Sequence, residues 1–213
     1  MYKRQKFHPF THPSESQSLS LVAIGGFGRG EMAPYSDIDL LFLSNKRQTG
    51  WAKSVVESVL YLLWDLKFKV GHSSRTISDC VQLGLDDLTI RTSMLEKRYL
   101  CGSRDLFEEL ETTLKKKVFS KKASNFVEGK LSERAERHLK HANARYMLEP
   151  NIKEGKGGLR DLHTLYWISK YIYKTDNIQS LIEKKIFKKS ELEIFTEAEN
   201  FLWFIRCKIH QIS

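Results

Sequence analysis

The sequence predicts an α+β protein: a small mixed β-sheet with flanking helices, followed by an all-helical domain. Three observations carry this reading. The apolar run at residues 37–43 and the stretch 67–76 read as strands, with a short apolar segment at 19–24 ahead of them. Between and after them, apolar residues recur at the three- and four-residue spacing of helices. Beyond about residue 120 no strand-like run is found, and the chain turns to charged sequence rich in Glu, Arg and Lys.

Residues 1–18 read as a linker, because HPFTHPSESQSLS is polar and proline-containing. The first five residues, MYKRQ, resemble a translated adapter and so an artefactual start. Leu19 to Ile24 leads into glycines, and Asp37 to Leu43 forms a strand. From Trp51 to Leu66, Val55, Val59, Leu62, Leu63 and Leu66 mark one apolar helical face. Lys67 to Thr76 is a second strand suited to pair with the Asp37 strand, followed by a helix capped by Ser78 or Asp79. Helices are expected at 79–85, 87–97 and 103–117, then from Ser124 to Met147, and again from Arg160 or Asp161. In that last helix Leu162, Leu165, Tyr166, Ile168, Ser169 and Ile172 fit one buried face, and two more helices are expected at 177–186 and 190–212. The expected boundaries are thus 19–120 for the mixed domain and 121–213 for the helical one. The final FLWFIRCKIHQIS stops inside a helical pattern with neither cap nor glycine, which reads as a truncated chain.

Composition narrows the function classes. A hydrophobic fraction of 41% and a charged fraction of 29% over 213 residues suit a soluble globular protein. No apolar run approaches the roughly 20 residues that span a bilayer, so no membrane partner is expected. Lys3, Arg4 and Lys6 precede no apolar stretch, unlike a secretory signal. Cys80, Cys101 and Cys207 are far apart and lack metal-ligand spacing, as reduced cytoplasmic thiols would be. The net charge of +9 comes largely from lysine clusters at 115–122 and 184–189 that alternate with Glu, as on a solvated helix face. No recognition-helix, zinc-finger or aromatic-platform pattern accompanies them, which argues against sequence-specific nucleic-acid binding.

The segment LVAIGGFGRGEMAPYSDIDLLFL, residues 21–43, carries the chemistry. In an extended strand Asp37 and Asp39 point the same way, while Ile38 and Leu40 enter a core. Two carboxylates on one sheet edge repel unless a cation lies between them, and hard oxygen ligands of this kind suit Mg²⁺. Gly25 and Gly26, ahead of the pair, let the backbone approach a triphosphate closely. A lone Asp-x-Asp or Gly-Gly is commonly a surface or turn feature; joined at this spacing they have the layout of a two-metal phosphoryl-transfer site. A dinucleotide fingerprint read from GGFGRG is weak, because it needs a helix beginning at the glycines and Met32, Ala33 and Pro34 lead into a turn.

GGFGRGEMAPYSDIDLLFL closely resembles the nucleotidyltransferase domain of the bacterial PII uridylyltransferase/uridylyl-removing family, within the DNA-polymerase-β-like superfamily. WDLKFKVGHSSRT at 64–76 and LEPNIKEGKGGLRDLHTLYWISKY at 148–171 are two further similar blocks in the right order. The resemblance implies Mg²⁺-dependent transfer of UMP from UTP to a tyrosine of the PII signal protein, in the cytoplasm. It also implies phosphohydrolase and sensing domains that this sequence does not contain. Another protein nucleotidylyltransferase, such as glutamine synthetase adenylyltransferase, and a non-catalytic binding fragment are the competing readings.

Under this resemblance Asp37 and Asp39 are the catalytic metal ligands, and Gly25 and Gly26 cradle the triphosphate. Ser36 either donates to a phosphate or serves the turn, and Arg29 either pairs with a phosphate or braces the loop. Superfamily members often add a third carboxylate on a neighbouring strand, and KFKVGHSSRT has none. His72 stands where it is expected, and Asp65, Asp86, Asp87 or Glu96 are alternatives. In NIKEGKGGLRD, Lys153, Lys156 and Arg160 surround a glycine turn before a helix, which is either an anion site for nucleotide or partner or a plain loop with Asp161 as cap. Glu154 is a further candidate ligand there.

Overall fold

A computed structural model describes residues 19–45, 49–141, 151–175 and 180–212. The expected linker at 1–18 and the end of the helix running to Met147 lie outside the described residues. The chain forms two compact units. The first comprises residues up to 31 together with Asp37–Val118, and the second Met32–Ser36 together with Phe119–Ser213.

The first unit is built on a four-stranded sheet in the order β3-β2-β1-β4, with β1 at Leu19–Ala23, β2 at Ile38–Ser44, β3 at Val70–Thr76 and β4 at Arg98–Gly102. Because β1 is antiparallel to both β2 and β4 while β2 and β3 are parallel, the sheet is mixed, as expected. Parallel neighbours need a crossover connection, which here is helix α2, Gly50–Asp65. β2 is central and helix-flanked, so Leu40, Leu41, Phe42 and Leu43 are all buried and the run is continuously apolar. A five-residue helix, α1, Gly25–Arg29, joins β1 to the loop before β2. A helix at the glycines was not expected; the antiparallel pairing of β1 with β2 nonetheless excludes a dinucleotide-binding βαβ unit.

Thr49 caps α2 by accepting from the Ala52 amide. Its buried line is Ala52, Val56 and Leu60, one position off the expected face, and Leu62 and Leu66 stay exposed. The next helix, α3, Ile77–Asp86, is capped by Thr76 instead of Ser78 or Asp79: Thr76 accepts from the Asp79 amide while the Asp79 carboxylate accepts from the Thr76 amide, a capping box. Asp87 then caps α4, Leu88–Leu95, and Ser103 caps α5, Arg104–Lys117. α5 buries Leu106, Phe107, Leu110 and Leu114, a one-sided stripe that closes the core. Strand β4, between α4 and α5, is an element the sequence reading missed.

The second unit is helical: α6 at Ala123–Lys140, α7 at Leu159–Tyr173, the short α8 at Ser180–Glu183 and α9 at Lys189–Ile212. Its core centres on Tyr171, whose ring stacks on Phe126 at 4.2 Å and meets Phe119 edge-on. α7 buries Leu159, His163, Trp167 and Tyr171 at four-residue spacing. Leu165 and Ile172, expected in the core, are exposed instead, because the aromatic line is the one that packs on α6. No helix among the described residues is long and apolar enough to cross a membrane.

Candidate functional site

β1 ends where Ile24 donates its amide to the Asp39 carbonyl at 3.0 Å, which fixes the glycines beside Asp39. Gly25 takes φ +59°, and a Cβ built there would lie 2.9 Å from Asp39 Oδ2. Both facts demand glycine, one for backbone strain and one for space. On the other side of β2, Asp39 is in register with Gly71 of β3, and a Cβ at Gly71 would lie 2.5 Å from Asp39 Oδ1. The half-buried carboxylate of Asp39 therefore rests with one oxygen over each glycine. Asp37 lies one residue ahead of β2 and is exposed, so the strand begins later than expected.

Register decides the fate of His72. It pairs with Leu40, one position beyond Asp39, so the pleat sends it to the opposite sheet face from Asp39. There it is exposed beside the Trp64 ring, 6.5 Å away edge-on. The position beside Asp39 belongs to Gly71. Three of the four alternative carboxylates are engaged elsewhere, since Asp87 caps α4, Asp86 accepts from Gln82 and Glu96 pairs with Arg29, while Asp65 is exposed at the end of α2.

Arg29 does the bracing that was one of its two expected roles. Its guanidinium donates to Glu31 at 2.8 Å and also bonds Glu96, which is itself buried. Burial works against its charge, but Glu96 and Glu31 outweigh this and hold its pKa above the ordinary value. Arg98 completes the clamp by donating to the carbonyls of Phe27 and Gly28, at 2.7 and 3.1 Å. A cation on the last carbonyls of a helix satisfies acceptors that the helix leaves open. Gly28 packs so tightly under this clamp that a Cβ would sit 1.9 Å from the Glu96 carbonyl oxygen. Gly28, Gly71 and Arg98 are thus site-shaping residues that sequence reasoning did not assign, and Glu96, one of the alternative carboxylates expected there, pairs with Arg29 instead.

Ser36 lies in the second unit, where its amide closes a turn on the Ala33 carbonyl and its hydroxyl accepts from Arg206 at 3.4 Å. Also in the second unit, Asn151 opens the 151–161 turn, its side-chain oxygen accepting from the amides of Lys153 and Glu154. Arg160 and Lys153 both pair with Glu154, at 3.1 and 3.9 Å, while Lys156 is exposed. The helix starts at Leu159, and Asp161 does not cap Leu162. It accepts from the Gly157 amide at 2.8 Å and reaches Arg137 and His138 of α6.

That geometry predicts acid lability. Burial tends to raise the Asp161 pKa, but the Gly157 amide, His138 and Arg137 outweigh it and hold the carboxyl below its usual range. A group with a depressed folded pKa stabilises above its unfolded pKa, about 3.9 for Asp, and the benefit fades as pH falls through the folded value. Asp161→Asn is expected to lower stability at neutral pH by about 1–3 kcal/mol. Melting curves of wild type and variant should begin to converge as pH falls below about 4 and go on converging as it passes through the lower, folded value. Parallel curves would show that Asp161 does not carry the effect.

Residues 13–100 match the family model described as nucleotidyltransferase domain, and residues 125–213 the one described as GlnD PII-uridylyltransferase. Over 206 residues, 97% of the chain, the sequence is 52% identical to a bifunctional uridylyltransferase/uridylyl-removing enzyme of Ruegeria pomeroyi. It is 50% identical over the same length to the enzyme of that name from Cereibacter sphaeroides. The chain belongs to the uridylyltransferase/uridylyl-removing family. It spans 23% and 22% of the length of these two relatives. Within the family's nucleotidyltransferase domain, the glycines, Arg29, Asp37, Asp39 and Gly71 all fall inside the matched stretch.

Proposed function

We propose that the chain transfers UMP from UTP to a tyrosine hydroxyl of the PII signal protein, with Mg²⁺ and release of pyrophosphate. The observation that supports this most is the seat of the Asp39 carboxylate over Gly25 and Gly71, within a segment matching the nucleotidyltransferase domain. The relatives' names favour uridylyl over adenylyl as the transferred group, and the family described as PII-uridylyltransferase favours PII as acceptor. Three free cysteines accord with a cytoplasmic setting.

Hard carboxylate oxygens over a cradle that a Cβ would fill fit a magnesium ion. Asp37 and Asp39 would hold it; when bound it neutralises charge on the reacting phosphoryl group and orients attacking and leaving oxygens. Gly25 and Gly26 let backbone amides come close to the triphosphate. Arg29 keeps that loop in place, its own charge offset by Glu31 and Glu96. Ser36, Lys153, Lys156 and Arg160 are proposed contacts for nucleotide or partner, with Lys153 and Arg160 sharing Glu154 as counter-ion. No base for the attacking hydroxyl is assigned, since β3 offers glycine beside Asp39.

The test is transfer of label from α-³²P-UTP to purified PII, with labelled ATP in parallel. Mg²⁺-dependent labelling from UTP, at least about tenfold above ATP (the discrimination a single good contact supplies), is expected. Labelling from ATP alone would replace this reading with an adenylyltransferase. Magnesium-dependent UTP binding without transfer would make the chain a binding module.

A further inference from the structure

We propose that Gly71 is a positioning residue for Asp39, acting through an absent side chain; the inference rests on the nucleotidyltransferase reading above. The two positions flanking Asp39 are both glycine: Gly25 is the first residue of α1, and Gly71 stands in register on β3. Each accommodates one carboxylate oxygen, at Cβ distances of 2.9 Å for Oδ2 and 2.5 Å for Oδ1. A real Cβ does not approach an oxygen to 2.5 Å, so any side chain at 71 forces the Asp39 carboxylate to rotate or withdraw.

Gly71 separates this effect from backbone strain. Gly25 has φ +59°, so a substitution there distorts the loop as well, whereas Gly71 is not among the positive-φ glycines. The atom in the way at Gly71 is the tip of a side chain, which can move, and among the described residues the other neighbour within 4 Å is the Asp39 carboxyl carbon at 3.7 Å. Glycine weakens a strand interior relative to alanine, so the fold itself gains nothing from glycine here. What glycine supplies is the orientation of one carboxylate. It follows that the strand beside Asp39 contributes no ligand, and that a cation held at Asp39 completes its shell with Asp37, water and substrate oxygens.

The experiment uses the full chain and Mn²⁺ alone as probe, titrated by electron paramagnetic resonance, for wild type, Gly71→Ala, Asp39→Asn and the double variant. Metal affinity in Gly71→Ala should fall about 10–100-fold, as when groups that orient a ligand are altered, with a melting temperature equal to or above wild type. In the Asp39→Asn background Gly71→Ala should change affinity no further, and UTP assays should show kcat falling more than KM rises. Unchanged Mn²⁺ affinity in Gly71→Ala, or additive losses in the double variant, would overturn the proposal. So would a lower melting temperature or loss of fold, since the space would then serve backbone packing. If Asp39→Asn binds Mn²⁺ like wild type, the nucleotidyltransferase site itself has failed, a result distinct from failure of Gly71 alone.

Discussion

Asp39→Asn is expected to lower nucleotidyl transfer by on the order of 10²–10⁴-fold, the equivalent of about 3–5 kcal/mol of transition-state stabilisation. The amide has the carboxylate's shape, so the seat over Gly25 and Gly71 stays filled and the fold should persist. What is lost is the negative charge that holds a divalent cation. An amide also turns an N–H₂ donor toward one of the two glycines, where the carboxylate presented only acceptors. Asp37→Asn should act in the same direction, because Asp37 is the second oxygen donor in the proposed site. Steady-state rates with UTP and PII, with circular dichroism to check folding, decide the matter. Near-normal turnover in either variant would remove the corresponding metal-ligand assignment.

The heart of this site was legible in the sequence because it depends on local order. A glycine pair ending one strand and Asp39 near the start of the next must meet when the strands pair antiparallel, and the register brings Ile24 to Asp39. What could not be read depends on longer-range choices. His72 and Gly71 are neighbours, and only the registration of β3 on β2 decides which stands beside Asp39; a slip of one residue exchanges the faces. Residue type alone could not assign Arg29, since a guanidinium suits phosphate and carboxylate equally and its partner Glu96 is 67 positions away. Strand β4 escaped notice because RYLCG is short and none of its residues is buried, so no period-two pattern marks it. In α2 and α7, apolar residues on adjacent helix positions left the face ambiguous by one step. Packing chose Ala52, Val56 and Leu60 in one and the Trp167–Tyr171 line in the other.

The largest expected loss of stability comes from Gly28→Ala. Position 28 lies in α1 with no positive φ recorded for it, so alanine there would ordinarily gain helix propensity. Here the added methyl meets three backbone atoms: the Glu96 carbonyl oxygen at 1.9 Å, its carbon at 2.9 Å and the Ala23 carbonyl oxygen at 3.1 Å. None is the tip of a flexible side chain. Relief requires either α1 to lift from β1 or the turn before β4 to shift. Either movement strains the Arg29–Glu96 pair and the Arg98 bonds to Phe27 and Gly28, which close around the same point. Overpacking that moves backbone costs about 1–3 kcal/mol and occasionally more. Breaking a buried ion pair as well adds to that cost, because Glu96 would keep a buried charge. Chemical denaturation of the variant should therefore show a lower midpoint with an unchanged slope, the shift multiplied by that slope giving the loss. Since α1 carries Gly25 and Gly26, UTP affinity should fall in the protein that remains folded. A variant as stable as wild type would mean that α1 is not clamped to the Glu96 backbone, and the bracing role of Arg29 and Arg98 would fall with it.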